Sequence, residues 1–370
     1  MFGGDIVSVL AIITAVVWIV VFLIIIGTPL KAFKVSDNLR RIGLVNQAEE
    51  PPLLLYIRRD ETNRKIQEYV FDGGGIPLCD FEEAREKIEA VMNISVIDFR
   101  WLDGKRKILM RAVTAKGDLP KQIEWSDHYL STESFILSLG EGYVGPVLID
   151  LCVAPHILLG GSTGSGKTKL LKLMVYQCVL KGAKVYIADY KGLDFVGFFE
   201  EHCVLCYDWL ETKAVLESLM EEKNRRLKLF RSVGAVNIDE YNEKTGENLP
   251  RLIFACDEYA QLTAQSTRRK EDKELLMAIE YLTASVARLG RAFGIHLILA
   301  TQRPDADVLA GQVKNNMDYR ICGQADATLS TIILGDGSAD TMIPKYMRGR
   351  FLMSDGTLFQ AYLFSEIGRD

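Results

Sequence analysis

Residues 156–180 read HILLGGSTGSGKTKLLKLMVYQCVL, and the run Gly161-Ser162-Thr163-Gly164-Ser165-Gly166-Lys167-Thr168 inside them decides how the rest of the chain is read. Its spacing, G-x-x-x-x-G-K-[ST], is that of a phosphate-binding loop, a Walker A motif. The apolar stretch before it has strand length, and the residues after it repeat apolar positions at helical spacing. A Gly-rich loop between a buried strand and a helix lets backbone N–H groups converge on a β-phosphate at the helix N-terminus. Lys167 is placed to reach β- and γ-phosphate oxygens, and the Thr168 hydroxyl to ligate Mg²⁺.

Working outward, strands and helices alternate. A helix is expected over 167–181, a strand at KVYIAD (184–189), a helix near 211–231, a strand at RLIFACD (251–257), a helix near 272–291 and a strand at IHLILAT (295–301). This order predicts an α/β fold with a mostly parallel sheet covered on both faces, its active residues at the C-terminal strand ends. Two of those ends carry suitable chemistry. RLIFACDEYAQL closes its apolar run with Asp257-Glu258. Asp257 suits a Mg²⁺ held through its water shell, and Glu258 suits orienting and deprotonating an attacking water. GIHLILATQRP ends in Thr301-Gln302, a polar pair where a γ-phosphate sensor would sit.

Bulk properties bound the remaining possibilities. A chain of 370 residues with 48% hydrophobic and 25% charged residues can bury a large core and has room for more than one domain, which excludes a disordered tail. The net charge of −5 excludes a surface that is basic all round, but leaves room for a local positive lining. Seven cysteines in a nucleotide-binding chain favour reduced thiols. The pair Cys203 and Cys206 in HCVLC has no second ligand pair at zinc spacing and reads as a short buried strand.

The N-terminal region is of another kind. From Ile6 to Ile26 the chain runs 21 residues without a charge, about 32 Å as a helix and enough to span a bilayer. Lys31, Lys34, Arg40 and Arg41 crowd its C-terminal side, so residues 1–30 are expected to be a single uncleaved anchor in the cell membrane, with everything after it in the cytoplasm. Residues 31–80, with YIRRDETNRK, PP and GGG, read as a juxtamembrane linker. A small α+β domain is expected over 81–135, from the helical spacing of FEEAREKIEAVMN and two strands around the turn LDGKR. The nucleotide-binding domain then occupies 136–370, opening with a strand-turn-strand at FILSLGEGYVGPVLIDL.

Three strings, PHILLGGSTGSGKT, VGAVNIDEYNEKTGENLPRLIFACDEYAQL and GRAFGIHLILATQRPDADVLAGQVKNNMDYRI, resemble the motor of the FtsK/SpoIIIE DNA translocases over roughly residues 136–362. The resemblance implies a RecA-like P-loop ATPase using ATP and Mg²⁺, assembled as a homo-oligomeric, hexameric ring that moves double-stranded DNA. The family's D-P-K motif stands here as Asp189-Tyr190-Lys191, without the proline, which leaves the local turn open. Arg320 in MDYRI matches the arginine of the family's equivalent strand. The resemblance makes it the first choice for an arginine acting on a neighbouring subunit's nucleotide, with Arg288 and Arg291 behind it. The channel wall would draw DNA-binding cations from STRRK, namely Arg268, Arg269 and Lys270, and from Arg303 and Lys314 around PDADVLAGQV. One apparent span and an end at Asp370, soon after the motor, make the plan similar to the TcpA-like coupling ATPases of Gram-positive conjugative elements. DNA delivery to a membrane channel, with other secretion or conjugation proteins as partners, is what that similarity implies. The competing expectations are a type VII-like protein-secretion ATPase, for which tandem motors would argue, and a chromosome-segregating translocase.

Overall fold

The computed structural model describes residues 32–61, 64–102, 104–114, 119–264, 267, 269–302 and 311–365. The uncharged run Ile6–Ile26 lies outside them. No helix among the described residues is long and apolar enough to cross a membrane. The chain divides into two compact units, Met1–Asp118 and Leu119–Asp370.

In the first unit, strands β1 (Leu53–Arg59), β2 (Ile66–Asp72), β3 (Ile94–Leu102) and β4 (Lys107–Thr114) form an antiparallel sheet in the order β1-β2-β4-β3. Helical residues 32–41 and the helices Leu78–Glu83 and Arg85–Met92 contribute Val35, Leu39, Phe81 and Ile88 to a core shared with Phe71, Phe99 and Met110. The stretch 31–80 is therefore not a linker. It supplies two of the four strands, and in β2 Tyr69 and Phe71 alternate into the core, as a period of two requires. The charged flank of β1, most of whose residues are exposed, masks this pattern in the sequence.

The second unit begins at Leu119, earlier than the expected 136. Its strands are β5 (Ile123–Glu124), β6 (Ile136–Gly142), β7 (Gly145–Asp150), β8 (His156–Gly160), β9 (Lys184–Ala188), β10 (Cys203–Cys206), β11 (Leu252–Cys256), β12 (Ile295–Thr301), β13 (Tyr319–Cys322), β14 (Arg350–Met353) and β15 (Leu358–Leu363). They lie in the order β10-β9-β11-β12-β8-β13-β14-β15-β6-β7, with β5 paired to β15. From β10 to β13 every pairing is parallel. From β13 through β14, β15, β6 and β7 every pairing is antiparallel, so the sheet is mixed rather than mostly parallel. The connections explain two of these pairings: residues 354–357 join β14 to β15 and residues 143–144 join β6 to β7, and links this short can make only antiparallel neighbours. Cys203 and Cys206 sit on the edge strand β10.

Both faces of the parallel half are covered, which is why its strands read as unbroken apolar runs. Ile157 and Leu159 of β8, with Ile253 and Ala255 of β11, face the helix Lys167–Leu180 through Leu170, Leu171 and Met174. Leu158, Phe254 and Cys256 face the other way, onto Leu216 and Leu219 of the helix Trp209–Val233 and Leu276 and Ile279 of the helix Lys270–Leu289.

Candidate active site

Strand β8 lies between β12 and β13 and ends at Gly160, and the helix Lys167–Leu180 begins seven residues later. Gly166, the residue before that helix, has φ 101°, and a Cβ on it would come 3.2 Å from the backbone of Gly349. A Cβ on Gly161 would come 2.5 Å from Ser165 Oγ. The loop is also held from behind. Ser162 N donates to Gln324 O (2.7 Å), Gly323 N to Gly160 O (2.9 Å) and Gly349 N to Ser165 O (2.8 Å). Its front opens on a cavity of about 810 Å³ whose walls include residues 162–170, Lys191, Gln302, Tyr346 and Arg348.

Lys167 and Thr168 converge on the end of β11. Lys167 Nζ, though buried, donates to Asp257 Oδ1 at 2.9 Å and to the Asp257 carbonyl, and Thr168 Oγ1 donates to the same Oδ1 at 2.9 Å. Asp257 Oδ2 is buried with no hydrogen-bond partner, as is Ser165 Oγ. A buried, unpartnered carboxylate oxygen beside a hydroxyl offers hard oxygen groups of the type Mg²⁺ prefers, and the loop supplies the anion cradle. These residues fit a Mg²⁺–nucleoside triphosphate: Thr168 and Asp257 would hold the metal, residues 161–167 the phosphates.

The second acid is tied to the third strand end. Glu258 Oε1 accepts from Thr301 Oγ1 (2.9 Å), and the Gln302 N–H lies 3.2 Å from Oε2 and 3.3 Å from Oε1. The Gln302 side chain closes the circuit, its Oε1 accepting from Thr163 Oγ1 at 2.8 Å. Loop, sensor strand and acidic strand end are thus linked through three residues.

Comparison with known proteins gives this geometry a lineage. Residues 125–306 match the model of the FtsK/SpoIIIE family. DNA translocase FtsK of Helicobacter pylori (strain J99) is 32% identical over 226 residues, 58% of this chain and 26% of that protein. DNA translocase SftA of Bacillus subtilis (strain 168) is 32% identical over 242 residues, 62% of this chain and 24% of that protein. The pCW3 conjugation coupling protein TcpA, solved as a monomer with ATPγS, is 32% identical with a TM-score of 0.67, and the similarity covers 90% of this chain and 95% of that one. The chain belongs to the FtsK/SpoIIIE family. It spans about a quarter of the length of the curated relatives it matches. Membership makes the site that of an ATPase.

The other residues expected for a FtsK/SpoIIIE motor are placed less simply. Arg320, on β13, turns its guanidinium onto its own chain, Nε donating to Met317 O (3.2 Å) and Nη2 to Lys314 O (3.0 Å), where it closes the end of the short helix Gly311–Lys314. Lys314 is half-buried, and burial together with the nearby Arg320 charge lowers its pKa from the ordinary lysine value. Arg288 and Arg291 are exposed at the C-terminal end of the helix Lys270–Leu289, and Arg269 and Lys270 are exposed at its start. Arg268 and Arg303 lie outside the described residues. Two contributors had no role assigned from sequence. Asp189 is buried and accepts from the backbone N–H groups of Lys191, Gly192, Asp194 and Phe195, making the turn without a proline. Gly349, with φ 72°, backs the phosphate loop from 180 residues away, and no local pattern marks it.

Proposed function

We propose that this chain is an ATP-driven translocase of double-stranded DNA, anchored in the cell membrane by one helix with its motor in the cytoplasm, and serving conjugative transfer. The observation that carries this reading is the reach of the similarity. The likeness to TcpA takes in 90% of this chain and 95% of that one, at 32% identity, and we read that match as favouring a coupling ATPase.

In this reading ATP would sit in the loop, and a Mg²⁺ held by Thr168 and Asp257 would supply charge neutralisation to its phosphates. Glu258 holds the attacking water and takes its proton, and Thr301 and Gln302 fix the carboxylate for that task. Because Gln302 touches Thr163 through its side chain and Glu258 through its backbone N–H, loss of a γ-phosphate at the loop would reach the acidic strand end through one residue. A homo-oligomeric, hexameric ring would complete each site with an arginine from its neighbour. Arg288 and Arg291, exposed, are better presented for that than Arg320, whose guanidinium already serves its own chain. Arg269 and Lys270, with Arg268 and Arg303, remain the cations proposed to meet DNA phosphates. The uncharged run Ile6–Ile26 and the cations after it support the anchor and its orientation.

The test is ATP hydrolysis by the 370-residue chain in detergent, measured with duplex DNA, single-stranded DNA and no DNA. Stimulation by duplex is expected. A rate indifferent to DNA but raised by a protein or peptide cargo would replace this reading with a protein-secretion ATPase.

A further inference from the structure

We propose that Lys191 is a second phosphate-binding lysine, one that contacts the γ-phosphate of the nucleotide held by its own chain. The proposal rests on the ATPase reading of the site and adds a residue to it.

Lys191 follows β9, the strand beside β11, so its loop stands next to the Asp257-Glu258 end of the sheet. The base of that loop is fixed. Both carboxylate oxygens of Asp189 accept backbone N–H groups from residues 191–195, and the Tyr190 hydroxyl pairs with Thr212 Oγ1 at 2.6 Å. The tip of Lys191 is not fixed in this way. Its side chain is 53% exposed, and its ammonium lies 3.9 Å from Asp257 Oδ2 and 3.5 Å from Asp194 Oδ2. Both contacts are long for hydrogen bonds, and an exposed ion pair at this spacing adds little stability. A rigid base bearing a loosely held cation suits a side chain that swings by rotamer change onto an incoming anion.

The cavity says which anion. Lys191 lines the space that the phosphate loop and Gln302 also line. The loop amides and the helix N-terminus take the β-phosphate, and Lys167 is buried against Asp257. The γ-phosphoryl group must lie toward Asp257 and Glu258, since the attacking water is held there. Lys191 also lines a small recess whose walls include Asp257 and Glu258, so it borders both the acidic strand end and the phosphate-loop cavity, where its charge would add to those of Lys167 and a bound Mg²⁺ in meeting a triphosphate. Lys121, Lys169 and Arg348 also line the cavity, but Lys169 belongs to the first turn of the helix after the loop, and Lys121 and Arg348 to the segments leading into β5 and β14, on the far side of the sheet order from β9 and β11. Lys191 is the lysine that reaches the Asp257 carboxylate from β9.

A γ-phosphate contact separates ATP from ADP, and the experiment uses that. Equilibrium binding of a non-hydrolysable ATP analogue and of ADP, each with Mg²⁺, is measured on the 370-residue chain in detergent for wild type, Lys191→Met and Lys191→Arg. Lys191→Met keeps the side-chain length and removes the charge. It is expected to weaken the analogue about tenfold or more, as loss of a charge-assisted hydrogen bond does, and to leave ADP within about twofold. Lys191→Arg should recover most of the analogue affinity. Equal loss for both nucleotides, or no loss for either, would overturn the assignment while leaving the nucleotide site standing. A wild-type chain that binds neither nucleotide would overturn the site itself, and Lys191 with it.

Discussion

The parallel strands carry polar groups at both ends, and the two ends differ in what those groups bind. At the N-terminal ends, Arg251 donates to both oxygens of Asp239 (2.6 and 2.7 Å) and to His296 Nε2 (3.3 Å), and its guanidinium lies over the Phe135 ring. His296 Nδ1 donates to Pro155 O (3.0 Å), and His156 Nδ1 accepts from Leu297 N (3.0 Å). Arg226, 1% exposed, donates to the carbonyls of Phe293 and Pro250 and to Glu222, whose pKa falls to about 2 chiefly through hydrogen bonding to Arg225 and then to Arg226. At the C-terminal ends, Asp257 Oδ2 and Ser165 Oγ are buried without hydrogen-bond partners, and Ser165 lines the open cavity. At the first end the polar groups are mostly satisfied internally, although His156 Nε2 is buried with no hydrogen-bond partner, and at the second the unsatisfied oxygens lie beside the phosphate loop.

The sharpest way to break this contrast is to substitute at each end and read both stability and turnover. Lys167→Ala, at the chemical end, should lower ATP turnover by about a hundredfold or more, since it removes a preorganised cation from the transferring phosphoryl group. Steady-state hydrolysis checks it, and a near-normal rate would strip the loop of its role. Arg226→Ala, at the structural end, should cost about 3 kcal/mol of stability by leaving two buried carbonyls without their donor and Glu222 with Arg225 alone. Urea unfolding measures that loss, and the folded variant should bind ATP as wild type does.

Acid should attack the structural end first. Burial holds His156 neutral, with its pKa lowered to about 4, and His296 shifts the same way. The unfolded chain takes up these protons near pH 6.5, so the stability from neutral His156 is fully present above that pH. It is lost as pH falls toward about 4, roughly 3 kcal/mol in all. His156→Asn, which keeps an acceptor for Leu297 N, should flatten the dependence of Tm on pH over this window. A smaller effect is expected from Thr301→Val, which removes one hydrogen bond to Glu258 and should slow turnover about tenfold with ATP affinity kept.

The site was legible in the sequence where its chemistry is local. A strand, a Gly-rich loop and a helix follow one another between His156 and Leu180, and Asp257-Glu258 and Thr301-Gln302 each close an apolar run, so spacing alone placed them. What the sequence hid depends on distant contacts. Nothing near Gly349 signals that its N–H supports Ser165, and Asp189 gathers its four N–H groups without the expected proline. Resemblance located Arg320 on its strand, but its side chain is directed by the carbonyls of Lys314 and Met317. The antiparallel half of the sheet was missed because apolar periodicity carries no strand direction, which short links set for β14–β15 and β6–β7 and distant pairing sets for β13–β14 and β15–β6. β1 and β2 of the first unit were read as a linker because charge on β1 concealed the alternation in β2, whereas β3 and β4 were expected around the turn LDGKR.

The most direct test of the catalytic end is Glu258→Gln. The substitution keeps the shape of the side chain and an oxygen that Thr301 Oγ1 and Gln302 N can still reach, but removes the base. Nucleotide binding and single-turnover hydrolysis are measured on the same preparation. The expected result is wild-type ATP affinity with hydrolysis slowed by at least about a hundredfold, so that ATP stays bound and uncleaved. Hydrolysis within about twofold of wild type would contradict the assignment of the water-activating role to Glu258.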